Sequence, residues 1–348
     1  MTIDEAVSKY HWFKRREDGV IEMFLDHHAL ATFRSCEASF ELSMMANIRP
    51  LHKSWNLEFG ILFHKMIEEF YIAKRDDKFE IASWLQLAVG LWQEYNMDEQ
   101  FSEHRMYKML GGVYGFIDML AQYADHFAAE VDRLRVIGIE ISFGKKREVP
   151  LGSFKVTNDF VQGIETFNYA PYKDVRCYLT GRIDFLMDSG NAIGPLDHKT
   201  TAFFKGNPAN SYDPQEGMTG YIFAVQNIMK KSFPELLGQR KVDRIWMNFA
   251  QISPCSDPLQ RFKRVPVFKT DWQLEQYRLR QLRTFHKIYD MLILGEHADW
   301  NTSVCNNMFH NECQYRNLHR QNTNDAMIQV LKSDFKIAPS WDPENVED

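Results

Sequence analysis

Three observations predict an α/β fold for this chain. Helical apolar periodicity recurs over residues 56–74, 81–95, 217–231 and 272–294. β-rich runs lie at 135–143, 244–252 and 261–268. Between them, residues 178–200 read as two strands around the turn Asp188-Ser189-Gly190-Asn191. Interleaved helices and strands bury their apolar faces on one another in layers.

The composition sets bounds. The 348 residues are 45% hydrophobic and 25% charged, enough apolar material for a core. This length suggests two domains, or one large domain with an insertion. A net charge of −6 gives no global attraction to nucleic acid, so contact with DNA requires a local basic surface. Five cysteines, an odd number, do not suggest a disulfide framework. No secretory signal pattern and no long apolar run is seen, so the expected setting is a reducing cytoplasm without a membrane span.

Residues 1–25 read as an N-terminal extension, with a basic cluster at Lys14, Arg15 and Arg16. From Asp26 a helical pattern runs through Leu30, Phe33, Ala38, Phe40 and Met45, with Cys36 inside it. A lone cysteine there reads first as a small buried hydrophobe. In residues 56–74, Phe59, Leu62, Phe63, Met66, Ile67 and Phe70 form one apolar face. Gly60, His64 and Glu68, at i, i+4 and i+8, fall on one stripe. Glycine costs a helix about 1 kcal/mol relative to alanine, so Gly60 points to a close backbone approach. Taken alone, His64 reads as a core histidine. Residues 81–95 and 103–128 are aromatic-rich helices, either a helical core or a platform for stacking unpaired bases.

Glu140 stands among apolar residues of the 135–143 strand, facing solvent or serving a function. Residues 150–176 read as a polar loop or a further hairpin. In the hairpin, residues two apart share a face, so Asp197 and Lys199 point one way and His198 the other. In register, Asp184 comes near Asp197. Paired carboxylates repel and resist joint ionisation. A hard divalent cation removes the repulsion, and a neighbouring lysine can orient water or offset phosphate charge. The alternative is an exposed hairpin with scattered charges. Gly194-Pro195 predicts a bulge, because proline cannot donate to a ladder. The helix of residues 272–294 carries Arg278, Arg280, Arg283 and Lys287, a solvated face or a phosphate-facing stripe. Residues 301–337 hold Cys305, His310, Cys313 and His319, and the acidic tail 338–348 is expected to be disordered. No Gly-rich phosphate loop or dinucleotide fingerprint is present.

Taken in order, Gly60-x-x-x-His64, Glu140, Gly181-Arg182-Ile183-Asp184 and Asp197-His198-Lys199-Thr200 resemble the PD-(D/E)XK nuclease superfamily. Within it they are similar to the RecB-like exonuclease branch: CRISPR-associated exonucleases, AddAB-type nuclease domains and phage exonucleases. The resemblance spans residues 30–320. It implies a restriction-endonuclease-like core over 135–300, a mixed central sheet flanked by helices. An additional helical region over 26–134 would carry the His motif, and the 301–337 segment would pack near Cys36.

The resemblance also implies an activity, metal-dependent hydrolysis of DNA phosphodiesters at single strands or ends. His64, Asp184, Asp197 and the His198 carbonyl would bind Mg²⁺ or Mn²⁺. Lys199 would position or activate water, and Glu140 would be a further acid near the metal. Tyr221 and Gln215 would contact DNA, although Gly217 stands where the family's Gln-x-x-x-Tyr has its Gln. Cys36, Cys305, Cys313 and His319 would hold a 4Fe–4S cluster or Zn²⁺, the histidine replacing a last cysteine. Cys177 and Cys255 are expected to be structural. Partners implied are DNA and a helicase or recombinase, in a bacterial or phage-infected cytoplasm, for recombination, phage DNA processing or defence. The rival is a catalytically silent DNA-binding or interaction module on the same fold. A zinc-binding structural protein centred on Cys305–His319 is a third alternative.

Overall fold

The computed structural model describes residues 1–343 apart from 52–53, 132–134, 157–172, 205, 207–208, 213–214, 256, 258–259, 297, 300, 302–312 and 322. The strands are β1 (Phe13–Arg15), β2 (Ile21–Asp26), β3 (Ile48–Pro50), β4 (Arg135–Phe143) and β5 (Val149–Val156). They continue with β6 (Lys173–Asp188), β7 (Ile193–Thr201), β8 (Arg244–Gln251), β9 (Phe262–Phe268) and β10 (Phe335–Ile337). The main sheet has the order β1-β2-β6-β7-β8-β9, and β4 and β5 also pair with β6. It is mixed, with β2–β6 and β7–β8 parallel and β1–β2, β5–β6, β6–β7 and β8–β9 antiparallel. Helices flank it, so the fold is α/β and of the restriction-endonuclease-like type.

The chain divides into two compact units assembled from separated segments. The first takes residues 1–52, 142–182 and 272–348; the second takes 53–141 and 183–271. The sequence segments 26–134 and 135–300 therefore each contribute to both.

In the first unit, residues 1–25 are more than an extension. Ile21–Asp26 is rich in apolar residues, and Ile21, Met23 and Leu25 are fully buried. Their strand pairs in parallel with β6, from Ile21 opposite Val175 to Asp26 opposite Thr180. Asp26 then caps the next helix, His27–Ser35, by accepting from the Ala29 amide. The helical run expected through Met45 breaks at Cys36, whose backbone is extended, and resumes as Glu37–Phe40 and a π-turn at Glu41–Met45. β5 and β6 form an antiparallel pair, with a bulge between Pro150 and Gly152, while residues 157–172 of the expected loop or hairpin lie outside the described residues. Part of the expected disordered tail is placed. The Ala338 amide donates to the Asn47 carbonyl, and Asp342 lies 3.4 Å from Lys145. Residues 344–348 lie outside the described residues.

The second unit is built around the helix Trp55–Arg75. Ser54 caps it by accepting from the Leu57 amide, and Lys74 and Arg75 complement the dipole of its last turn. Its buried face runs Trp55, Phe59, Leu62, Phe63, Met66, Ile67, Phe70 and Tyr71. The helices Ile81–Glu94 and Gly112–Val131 pack around it with Trp84, Trp92, Phe116 and Tyr123 inside one core. These aromatics are core rather than a stacking platform; Tyr114, 81% exposed, is the exception. The single helix expected over 103–128 is interrupted. Gly111 and Gly112 take left-handed φ values of 92° and 64°, which end the helix Arg105–Leu110 and start the next.

Two backbone expectations are corrected. β7 shows no bulge at Gly194-Pro195: Met187 pairs Gly194 and Leu186 pairs Pro195 in continuous register. Pairing with β8 begins only at Leu196, so Pro195 precedes that ladder. Gly194 is required by a close approach, since a Cβ there would collide with the Arg244 carbonyl oxygen. Gly60, by contrast, faces open space, with nothing within 4 Å of where a Cβ would stand.

Candidate active site

Of the expected site residues, His64, Asp184, Asp197, His198 and Lys199 lie together within the second unit. The β6–β7 register runs from Asp188 opposite Ile193 to Phe185 opposite Leu196. Continued one step, it sets Asp184 opposite Asp197. Phe185, Met187 and Leu196 enter the core, which leaves the aspartates for the other face. Lys199, two residues on, returns to that face and holds Asp197 at 2.8 and 2.9 Å. His64 comes from the helix Trp55–Arg75. Its Nδ1 is 3.1 Å from Asp184 Oδ2, and its Nε2 is 2.6 Å from the His198 carbonyl oxygen.

Proton positions follow from this geometry. A carbonyl oxygen only accepts, so His64 Nε2 carries a proton. With Asp184 ionised, Nδ1 donates to it as well, which favours the charged ring. Burial disfavours that charge, but the bond to Asp184 and the charges of Asp184 and Asp197 outweigh it, and the His64 pKa rises. Asp197 is 4% exposed. Burial raises its pKa and Asp184 adds to the rise, against the pull of Lys199 and His64. Burial works against the Lys199 charge, yet Asp197 prevails and its pKa also rises. With its side chain 33% exposed, Lys199 stands at the mouth while Asp197 forms the floor.

These donors fit a divalent cation by their chemistry: two carboxylates, one carbonyl and one imidazole, with no thiolate. Among the described residues, however, no three His, Cys, Asp or Glu side chains form a ready metal cage. The donors face each other instead. The His64 imidazolium and the Lys199 ammonium supply the positive charge beside Asp184 and Asp197. A histidine binds a cation as the neutral imidazole, so a proton on His64 competes with a cation for the same nitrogen.

Glu140 lies on β4 in the same unit with a φ of 51°, left-handed backbone inside a strand. Such a conformation costs about 1 kcal/mol or more at a non-glycine residue. Tyr221 is half-buried on the helix Glu216–Ser232. Gln215 is exposed at the N-cap, off the i, i+4 spacing to Tyr221, so the two do not form the family's paired motif.

Residues that the sequence did not single out also surround the site. Tyr212 closes a short helix, Ala209–Tyr212; its ring is 5.1 Å from Phe249, the register partner of Lys199, and burial raises its hydroxyl pKa. Behind β7, His198 meets Tyr123 and Asn248. The available signal was Asn248, a polar residue at the centre of an apolar strand.

In the first unit, Cys36 is buried, and Cys313 Sγ is 3.8 Å from Ser39 Oγ, three residues beyond Cys36. His319 sits on the short helix Arg316–His319, its pKa lowered by burial. Cys305 and His310 lie outside the described residues. Cys177 is buried in β6, and burial pushes its thiol pKa well up, as fits a structural residue.

The PD-(D/E)XK nuclease superfamily model matches residues 26–317. No curated protein matches the chain. No helix among the described residues is long and apolar enough to cross a membrane.

Proposed function

From the premise that the chain belongs to the PD-(D/E)XK nuclease superfamily, we propose that it is a divalent-metal-dependent deoxyribonuclease. Its substrates are DNA single strands or ends, and its mode is that of the RecB-like exonucleases. The observation that carries this is the contact of His64 with Asp184 and with the His198 carbonyl beside the Asp197–Lys199 pair in the second unit. Those first four groups hold Mg²⁺ or Mn²⁺. The cation supplies Lewis-acid polarisation of the phosphate and a lowered pKa for the attacking water.

Each residue then has a task. Asp197, buried, keeps its charge fixed at the floor and holds Lys199. Lys199 is exposed enough to reach substrate, where it orients water or offsets charge growing on the phosphate. Asp184, as a carboxylate, shares the cation with His64. Glu140 is the further acid, and Tyr221 contacts DNA; Gln215 is a weaker candidate.

A second metal group belongs to the same proposal. Cys36, Cys305, Cys313 and His319 hold an iron–sulfur cluster or Zn²⁺, a thiolate and imidazole set suited to either. The nearness of Cys313 to Ser39 supports it. The setting is the cytoplasm, in recombination, phage DNA processing or defence, with a helicase or recombinase as partner.

End-labelled single- and double-stranded DNA with Mn²⁺, Mg²⁺ or EDTA tests the activity. Cleavage that needs metal and disappears in Asp197→Ala and Lys199→Ala is the expected result. DNA binding without cleavage, equal with and without metal, would leave a silent binding module.

A further inference from the structure

The face of β7 opposite Asp197 and Lys199 carries polar side chains within an apolar core. His198, Asn248 and Arg264 are register neighbours across β7, β8 and β9. His198 and Asn248 are 1% and 2% exposed. Tyr71 and Tyr123 close the group from the helices Trp55–Arg75 and Gly112–Val131.

The hydrogen bonds have one consistent direction. Arginine only donates, and Arg264 Nε lies 2.6 Å from Asn248 Oδ1. That contact fixes which end of the amide is oxygen. Asn248 Nδ2 then donates toward His198 Nε2 at 3.0 Å and the Tyr123 hydroxyl at 3.3 Å. His198 Nε2 is therefore an acceptor, and its proton sits on Nδ1, which is buried with no hydrogen-bond partner among the described residues, so the network holds the ring through Nε2 alone. Arg264 also donates to the Tyr71 hydroxyl at 3.1 Å, and the Tyr123 hydroxyl is 2.9 Å from His198 Nε2.

Tyr71 and His64 stand on one helix, about two turns apart. His64 bonds the His198 carbonyl, while Tyr71 reaches the His198 ring through Arg264 and Asn248. One helix thus grips one residue of β7 at both its ends. Burying this many polar groups costs stability unless each is paired, and an apolar set would fill the same space at less risk. We propose that Tyr71, Tyr123, Asn248 and Arg264 are positioning residues, which fix the spacing between the His64 helix and β7 and thereby the spacing of the cation donors. This rests on the metal-dependent reading above.

The test is Mn²⁺ affinity, read from the electron paramagnetic resonance signal of the free ion. The samples are the whole chain, Asp197→Ala, Tyr71→Phe, Asn248→Leu, Arg264→Lys and Phe116→Leu. Phe116 lies in the same core but outside the network. Tyr71→Phe, Asn248→Leu and Arg264→Lys are expected to weaken Mn²⁺ binding about tenfold, as loss of groups that orient ligands does, with Phe116→Leu staying within about twofold of wild type. Lysine fails because it cannot bond Asn248 and Tyr71 as a fork. Wild-type affinity in folded Tyr71→Phe and Asn248→Leu would overturn the proposal. Tyr71→Phe removes a single hydroxyl and keeps the test open if Asn248→Leu does not fold. A wild type with no Asp197-dependent Mn²⁺ binding would overturn the metal reading itself, and this inference with it.

Discussion

The donor set of the second unit sits on regular elements; the thiol and imidazole set of the first unit does not. Asp184, Asp197 and Lys199 lie on paired strands, and His64 on a helix with a buried apolar face. Ladder bonds and core packing fix all four. Cys36 stands at a break between helices, Cys313 precedes a four-residue helix, and His319 ends it. Cys313 packs against a small cluster of Tyr315, Leu318 and Phe335. A site on rigid elements holds its geometry before its ligand arrives, whereas a site on chain ends and short turns acquires it from the ligand.

That contrast can be broken at several points. The largest effect is expected at Lys199. Lys199→Ala should lower DNA cleavage about a hundredfold or more, as loss of a preorganised electrostatic donor does. Mn²⁺ affinity should hold or tighten, because Asp197 then has no ammonium partner; parallel loss of both would make Lys199 a structural support only. On the other side, purified protein should carry iron or zinc, measurable by elemental analysis, and Cys36→Ala and Cys313→Ala should lose it. Their Mn²⁺ affinity should not change, since the two sets share no donor. A wild type free of iron and zinc would reduce Cys36 to buried apolar filling.

Smaller effects test the scaffold. Gly194→Ala should destabilise the protein by about 1–3 kcal/mol, because overpacking forces β7 and β8 apart. The melting temperature reads this, and an unchanged value would remove Gly194 from the account of β7. Gly60→Ala should do the reverse, stabilising by up to about 1 kcal/mol, since the added methyl meets open space on a helix. Should cleavage fall while stability rises, the open space at Gly60 would be where substrate approaches.

Much of the fold and site follows from local pattern. Two-residue periodicity set Asp197 and Lys199 on one face of β7, and the turn Asp188–Asn191 set Asp184 across from them. The 3.6-residue period set His64 on a stripe with Gly60 and Glu68, yet taken alone it reads as a core histidine, and its contacts with Asp184 and the His198 carbonyl are tertiary. The faces are short-range geometric consequences, so sequence carries them. The N-terminal strands were missed because their partner in β6 is far along the chain. The bulge expected at Pro195 was wrong because proline's missing donor matters only where a neighbour needs it, and β8 pairing starts one residue later.

Local pattern therefore determined most element types and the faces that Asp197, Lys199 and Asp184 occupy, while their reading as cation donors came from the family resemblance. The tertiary structure alone decided which distant residues stand behind them. Asn248 and Arg264 acquire meaning only when β8 and β9 align beside His198, and Tyr71 and Tyr123 only when their helices pack on that face. Periodicity says which way a side chain points, but the register of long-range strand pairs and the docking of helices say what it meets.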